Sequence, residues 1–247
     1  MELVEPPGRG PVGLSGLVEP SIRSSRREGE MIRRSVLSDH VHESLKSLIL
    51  EHRLAPEDRL NIDALARELD VSPTPVREAL ARLESEGLVR KRPLAGYTVS
   101  PLLTRDEFNH MFDMRMILEG PAARWSASRA SGAARAALAD EAATPFPVVE
   151  AEPDGRRSHA LFTAMDARFH DLVAAGAGNP LLREAITRLH AHLHIHRLYF
   201  PYAETHATLG EHRRVADAIT AADPDRAEAA MLAHLAASRD RHLRAFD

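Results

Sequence analysis

Asp166 and His170 stand four residues apart in a stretch, Ser158 to Ala175, whose apolar residues Leu161, Phe162, Met165, Phe169 and Leu172 recur at helical spacing. Residues four apart share one face of a helix, so this carboxylate and imidazole project side by side and can bind one ion. His212 and His234 fall on the two C-terminal helical stretches. Packed antiparallel, those helices would turn both imidazoles toward the same centre. Three histidines and one aspartate make a mixed nitrogen and oxygen set suited to a divalent ion, zinc first, with nickel, manganese and iron also fitting. Four protein ligands on an ion that accepts five or six leave positions open for a carboxylate from outside. A lone Asp-x-x-x-His pair is nevertheless more often two solvated surface residues, and spacing by itself leaves both readings open.

A second group competes. His190, His192, His194 and His196 form two i,i+4 pairs on different faces of a helix, His190 with His194 and His192 with His196. One pair could bind metal; the plainer reading has some of them solvated and one or two lining a ligand cavity. Arg197 beside them reads as a surface cation, with an anion partner as the alternative. Arg115 sits among Met111, Phe112 and Leu118, on or near an apolar face, where a cation needs a partner. Either Glu119 supplies a structural ion pair, or the guanidinium serves a carboxylate ligand that it can grip at two points.

A different chemistry is encoded in Val71 to Leu88, VSPTPVREALARLESEGL. Ser72 is placed to cap a helix, its hydroxyl accepting from an orphan N–H of the first turn. Pro73 and Pro75 are tolerated because the first turn has no intrahelical N–H bonds to lose. Val76, Ala79, Leu80 and Leu83 make a narrow apolar stripe, Arg77 and Arg82 fall off it, and Gly87 ends the helix. A polar first turn with an outward arginine suits insertion into a DNA major groove.

The elements that position these residues follow from periodicity. Residues 1–34, rich in Gly, Pro, Ser and Arg, read as a disordered tail, with Met31 as the expected natural start. Ser38 or Asp39 can cap a helix to about Arg53, and Asn61 a second from Ile62 to Leu69. After Gly87, Leu88–Lys91 and Gly96–Ser100 read as strands joined by a hairpin tip at Pro93, Leu94 and Ala95. Three helices and a hairpin over residues 35–103 make a winged helix-turn-helix. From Thr104 every periodic segment is helical, so residues 104–247 form an all-α bundle of about six helices. Pro121 should kink or break the first of these, and the Pro-rich run 144–157 is a loop. The fold class is therefore mainly α, a winged helix followed by a helical bundle.

Composition narrows the function. Net charge is −4, and residues 35–103 carry nine Lys or Arg against eleven Asp or Glu. DNA contact must then come from local charge, which Arg77, Arg82, Arg90, Lys91 and Arg92 supply on the recognition helix and wing. With no cysteine, disulfides and thiolate metal sites are excluded, and the reducing cytoplasm is the expected location. No apolar run is long enough to span a bilayer, and no secretory signal pattern opens the chain. Phosphate-loop, G-x-S-x-G and HExxH motifs are missing, so an enzyme is not expected.

The run Val71–Leu80, with Leu83 and Glu86-Gly87-Leu88-Val89 after it, resembles the GntR family of bacterial transcription regulators. Arg115-x-x-Leu118-Glu119, Asp166-x-x-x-His170, Asn179-Pro180-Leu181, Glu211-His212 and His234-Leu235 are similar to the FCD ligand-sensing domain of the FadR subfamily. The apparent six-helix count suits its VanR-like branch. The resemblance implies a homodimer reading a pseudo-palindromic operator in double-stranded DNA, with contacts from Ser72, Thr74, Arg77 and the wing near Gly96. It also implies a metal held by Asp166, His170, His212 and His234, and a small organic acid effector meeting that metal and Arg115. The competing expectations are a metal-dependent hydrolase with an appended DNA-binding module and a regulator whose metal is purely structural.

Overall fold

The computed structural model describes residues 21–92, 96–146, 156–198 and 205–246. The hairpin tip at Pro93–Ala95 and most of the Pro-rich loop lie outside them, as do residues 1–20 of the expected tail. Helix α1 spans Ser21–Leu50, beginning well before the cap expected at Ser38 or Asp39, so residues 21–34 are helical rather than tail. Ser38 lies inside the helix and is buried. No proline interrupts the chain between Pro20 and Pro56, and arginine and glutamate in this stretch favour helix. The apolar pattern that starts near Val41 marks where the helix becomes buried, not where it begins.

Strand β1 (Arg59–Leu60) precedes α2 (Ile62–Glu68) and α3 (Pro73–Ser85); β2 (Val89–Arg92) and β3 (Gly96–Val99) complete the wing. The antiparallel sheet runs β1-β3-β2. β1 was not expected, since two residues carry no readable period. Asn61 Oδ1 caps α2 by accepting from Ala64 N at 2.9 Å. At the end of α3, Leu88 N donates to Leu83 O and Gly87 N to Glu84 O, a Schellman closure that requires the left-handed φ of +74° that Gly87 adopts. Val41, Leu45, Ile49, Leu65, Val76, Leu80, Leu83 and Val99 form one core. Each buried aliphatic side chain contributes about 1.5–3 kcal/mol.

The second half holds seven α-helices among the described residues. They are α4 (Arg105–Arg129), α5 (Gly132–Ala143), α6 (Arg156–Gly176), α7 (Pro180–Arg188), α8 (Ala191–Leu198), α9 (Thr205–Thr220) and α10 (Pro224–Leu243). α4 starts with a reciprocal cap between Thr104 and Glu107 and packs chiefly on α10 and α6. A Cβ at Gly176 of α6 would collide with Ser126 Oγ of α4, which is why glycine stands at that approach. Phe169, Val173, Val215, Ile219, Met231 and Leu235 fill the bundle.

α4 continues through Pro121 without a break. The carbonyl deprived of its partner is that of Ile117, whose side chain is 64% exposed, so this turn lies on the solvent side where water can satisfy it. The stretch after Asn179 is two helices, separated at His190 with φ +44°. The reason is burial: Leu182 and Ile186 pack in the bundle, whereas Leu193 packs against the winged-helix core. One straight helix cannot serve both. Seven helices rather than six remove the helix count as support for the VanR-like branch. Among the described residues no helix is long and apolar enough to cross a membrane.

Candidate metal centre and nucleic-acid interface

Asp166 and His170 from α6, His212 from α9 and His234 from α10 converge in the middle of the bundle. One ligand atom of each lies within 4.8 Å of the others, and all four residues are buried. Asp166 Oδ1 lies 3.2 Å from His212 Nε2 and 3.7 Å from His170 Nε2. His170 Nε2 and His234 Nε2 are 3.2 Å apart. His212 is stacked on Phe169 with ring centroids 3.8 Å apart, which fixes its plane.

Carboxylates behind the rings set their tautomers. His170 Nδ1 is bonded to Glu119 Oε2, and His234 Nδ1 to Glu211 Oε2 at 2.8 Å. Burial would raise the Glu119 carboxyl, but the charge of Arg115 and then of His170 holds it far below its ordinary value. For Glu211, burial is likewise outweighed, chiefly by the Arg241 bonds at 2.8 Å, and its pKa falls to about 2. An ionised carboxylate only accepts, so each Nδ1 carries the proton. Burial pushes His170 to about 3 and His234 to about 4. Two neutral rings assigned in this way turn bare Nε2 lone pairs toward each other.

That arrangement fits a cation. A metal-bound histidine typically donates its other N–H to a carboxylate, as both rings do here. Asp166 Oδ1 and His212 Nε2 are buried 3.2 Å apart, with no hydrogen bond made by either. Such orphaned polar atoms cost roughly 1–3 kcal/mol each, and a divalent ion held by these residues would satisfy both.

Asp166 is held from its other side as well. Its Oδ2 accepts from His192 Nδ1 at 2.9 Å, with His196 Nε2 3.3 Å away. Burial works to raise this carboxyl, but His192, then His212 and His170, keep it well below the usual range. Of the four alternating histidines, the His192/His196 pair therefore faces the centre, and the i,i+4 spacing was the signal for it. His194 instead lies against Gly87. Arg197 is no surface cation: it is 1% exposed and donates through Nη2 to Ser100 O at 2.7 Å.

Arg115, 2% exposed, settles on Glu119, with Nε 2.6 Å from Oε1. Its Nη2 still reaches within 3.5 Å of His170 Nε2, at the edge of the centre. Sequence reasoning had no signal for Arg241 and none for Glu211 as the carboxylate behind His234, since neither spacing nor periodicity ties them to that ring. A cavity of about 430 Å³ is lined by His170 and His192 and also by Lys46 and Leu50 of α1.

On the winged helix, Ser72, Thr74 and Arg77 are exposed on the first turns of α3. Ser72 occupies the cap position but makes no capping hydrogen bond. Gly96 is exposed with φ +77°, beside the exposed Arg90, Lys91 and Arg92 of β2. Arg82 is exposed too, and its Nη1 is paired with Asp39 of α1.

Residues 37–99 match the bacterial regulatory proteins of the gntR family, and residues 110–237, just over half of the 247, match the FCD domain. The chain belongs to the GntR family and carries an FCD domain. Among the relatives of this GntR protein is the HTH-type transcriptional repressor NanR of Salmonella newport (strain SL254), 29% identical over 235 residues, covering 86% of this chain and 87% of the relative. NanR of Salmonella typhi is 28% identical over 86% of each. The fold is similar to that of E. coli McbR/YncC, with a TM-score of 0.67 at 21% identity over 85% of this chain and 99% of that one. A GntR regulator from Rhodococcus sp. RHA1 gives 0.64 at 20% identity, with the same coverage.

Proposed function

We propose that this GntR protein is a cytoplasmic, homodimeric transcriptional repressor whose hold on a pseudo-palindromic operator is controlled by a small organic acid at a divalent metal, zinc first, held by Asp166, His170, His212 and His234. The observation that carries the reading is the buried set of four ligand atoms within 4.8 Å, two of them without a hydrogen bond. Repression is suggested by the named NanR relatives. A bound divalent ion would supply a Lewis-acid point for a carboxylate. Glu119 and Glu211 orient His170 and His234 toward that point. Arg115 Nη2 is near enough to share the carboxylate, and the cavity beside His170 has room for the rest of the acid. Ser72, Thr74, Arg77 and Gly96 would meet the duplex, with Arg82 beside them sharing its guanidinium with Asp39.

The test is metal analysis of purified protein followed by thermal-shift screening of organic acids with and without chelator. A ligand that binds only the folded form raises its melting temperature. Metal at one equivalent per chain, with an acid-induced shift that chelator removes, is the expected result. A chain without metal sinks the proposal, and unfolding on chelation without any acid response turns it into a purely structural site.

A further inference from the structure

α8 is two turns long, about 12 Å at 1.5 Å per residue, and its faces are divided between the two halves of the molecule. On one face His192 Nδ1 donates to Asp166 Oδ2 at 2.9 Å, and His196 Nε2 lies 3.3 Å from the same oxygen. His196 Nδ1 is also bonded to Thr163 Oγ1 at 2.9 Å. The other face belongs to the winged helix. Leu193 packs against its core. The His194 ring abuts Gly87, the left-handed residue that closes α3; a Cβ there would lie 3.1 Å from His194 Nε2. Arg197 Nη2 donates to Ser100 O at 2.7 Å, and the Arg197 carbonyl accepts from His52 Nε2 at 2.9 Å.

A cavity lies along part of this junction, between α1 and His192, so a displacement of α8 reaches the winged helix through the direct contacts of Leu193, His194 and Arg197. Asp166 is at once a candidate metal ligand through Oδ1 and the anchor of α8 through Oδ2. A change in what Oδ1 binds reorients the carboxylate, and Oδ2 takes His192 with it. The peptide link from Ser100 through Leu103 into α4 offers another route between the halves and meets the same turn, since Ser100 N donates to Leu88 O at 2.9 Å, so it is the His194 contact that tells the two routes apart.

We infer that α8 is the strut through which the state of the Asp166 centre reaches the DNA-binding domain, with His192 and His196 as positioning residues acting through Asp166 and His194 as the contact on the recognition helix. The inference rests on the proposed reading of that centre as ligand-responsive. It asks for a two-state element biased from both sites, which is what a coupling free energy between them requires.

Amide hydrogen exchange on the full chain tests it, in chelator-treated protein so that the result does not depend on whether metal binds. The amides of Gly87, Leu88 and Ser100 are all hydrogen-bonded and so report opening, with α2 as the reference. Asp166→Asn keeps the shape and removes the charge. The expected result is at least about threefold faster exchange at Gly87 and Leu88, with no change in α2, and loss of that increment when His194→Ala is already present. Should Asp166→Asn fail to fold, His192→Gln removes one bond to the same carboxylate and is read at the same amides. Changes confined to α6 and α8, changes at Ser100 alone, or an increment that survives His194→Ala would each overturn the strut. Zinc stoichiometry of the untreated wild-type chain is measured separately: absence of zinc there refutes the metal reading and leaves the exchange result to stand or fall by itself.

Discussion

His170 and His234 face one another across 3.2 Å through their Nε2 atoms, while the opposite nitrogen of each is engaged by a glutamate, Glu119 for one and Glu211 for the other. Four helices contribute to this one contact, α6 and α10 through the rings and α4 and α9 through the acids. Its cost in lone-pair repulsion is sustained by packing on all sides, and a cation between the rings would turn it into attraction.

Glu119→Gln and Glu211→Gln should each weaken metal binding by about 10–100-fold, because an amide can no longer fix the ring tautomer. Competition with a chromogenic chelator measures this. Replacing His212 and His234 together with alanine should abolish stoichiometric metal and the response to acids. Full occupancy in that double variant would show that the ion, if bound, sits elsewhere.

Arg77→Ala should weaken specific operator binding by about 1–3 kcal/mol, the usual contribution of a base-reading arginine, with the melting temperature unchanged because Arg77 is exposed. Arg82→Ala should cost less, since its guanidinium is already committed to Asp39. A gel-shift series that ranks the two the other way round would place the recognition surface on a different face of α3.

Stability should peak near pH 6.5. Hydrogen bonds to Glu43 and then Glu86 raise the pKa of the buried His42 above its ordinary 6.5. Its contribution is complete below that value and fades as pH rises through the folded-state pKa. His159, His194 and His242 behave oppositely: burial lowers each to about 4. The unfolded chain takes up protons there below 6.5 and the folded one does not, so stability falls as pH drops from about 6.5 toward 4. Thermal unfolding between pH 5 and 8.5 should trace both limbs, and His42→Gln should flatten only the alkaline one. A monotonic curve contradicts the assignment.

Gly87→Ala should destabilise the winged helix by about 1–2 kcal/mol, the cost of an L residue at left-handed φ, with the His194 contact adding to it. For a chain of this size that is a fall of several degrees in melting temperature. No change on calorimetry would mean that the turn relaxes freely and that His194 bears on it weakly.

The bounds, apolar stripe and terminal glycine of α3 were legible because all are local signals, although Ser72 takes the cap position without the expected hydrogen bond. Asp166 with His170 was legible for the same reason, both lying on one helix. The meeting of His212 and His234 with that pair could be stated only as a condition on packing, since no local rule fixes how α9 and α10 lie. The break at His190 escaped because the stretch keeps an unbroken helical period; only the choice of Leu193 to pack on the winged helix rather than the bundle divides it. Arg197 misled for a related reason, its hydrogen-bond partner Ser100 being far away in sequence.

Three carboxylates, Glu119, Asp166 and Glu211, are accompanied by two guanidiniums, Arg115 and Arg241, so the acids outnumber the guanidiniums by one. A dication overshoots neutrality by that same amount, and a single carboxylate from outside restores it. On this count of acids and guanidiniums, a guest presenting one negative charge beside a bound dication would be favoured over one presenting two.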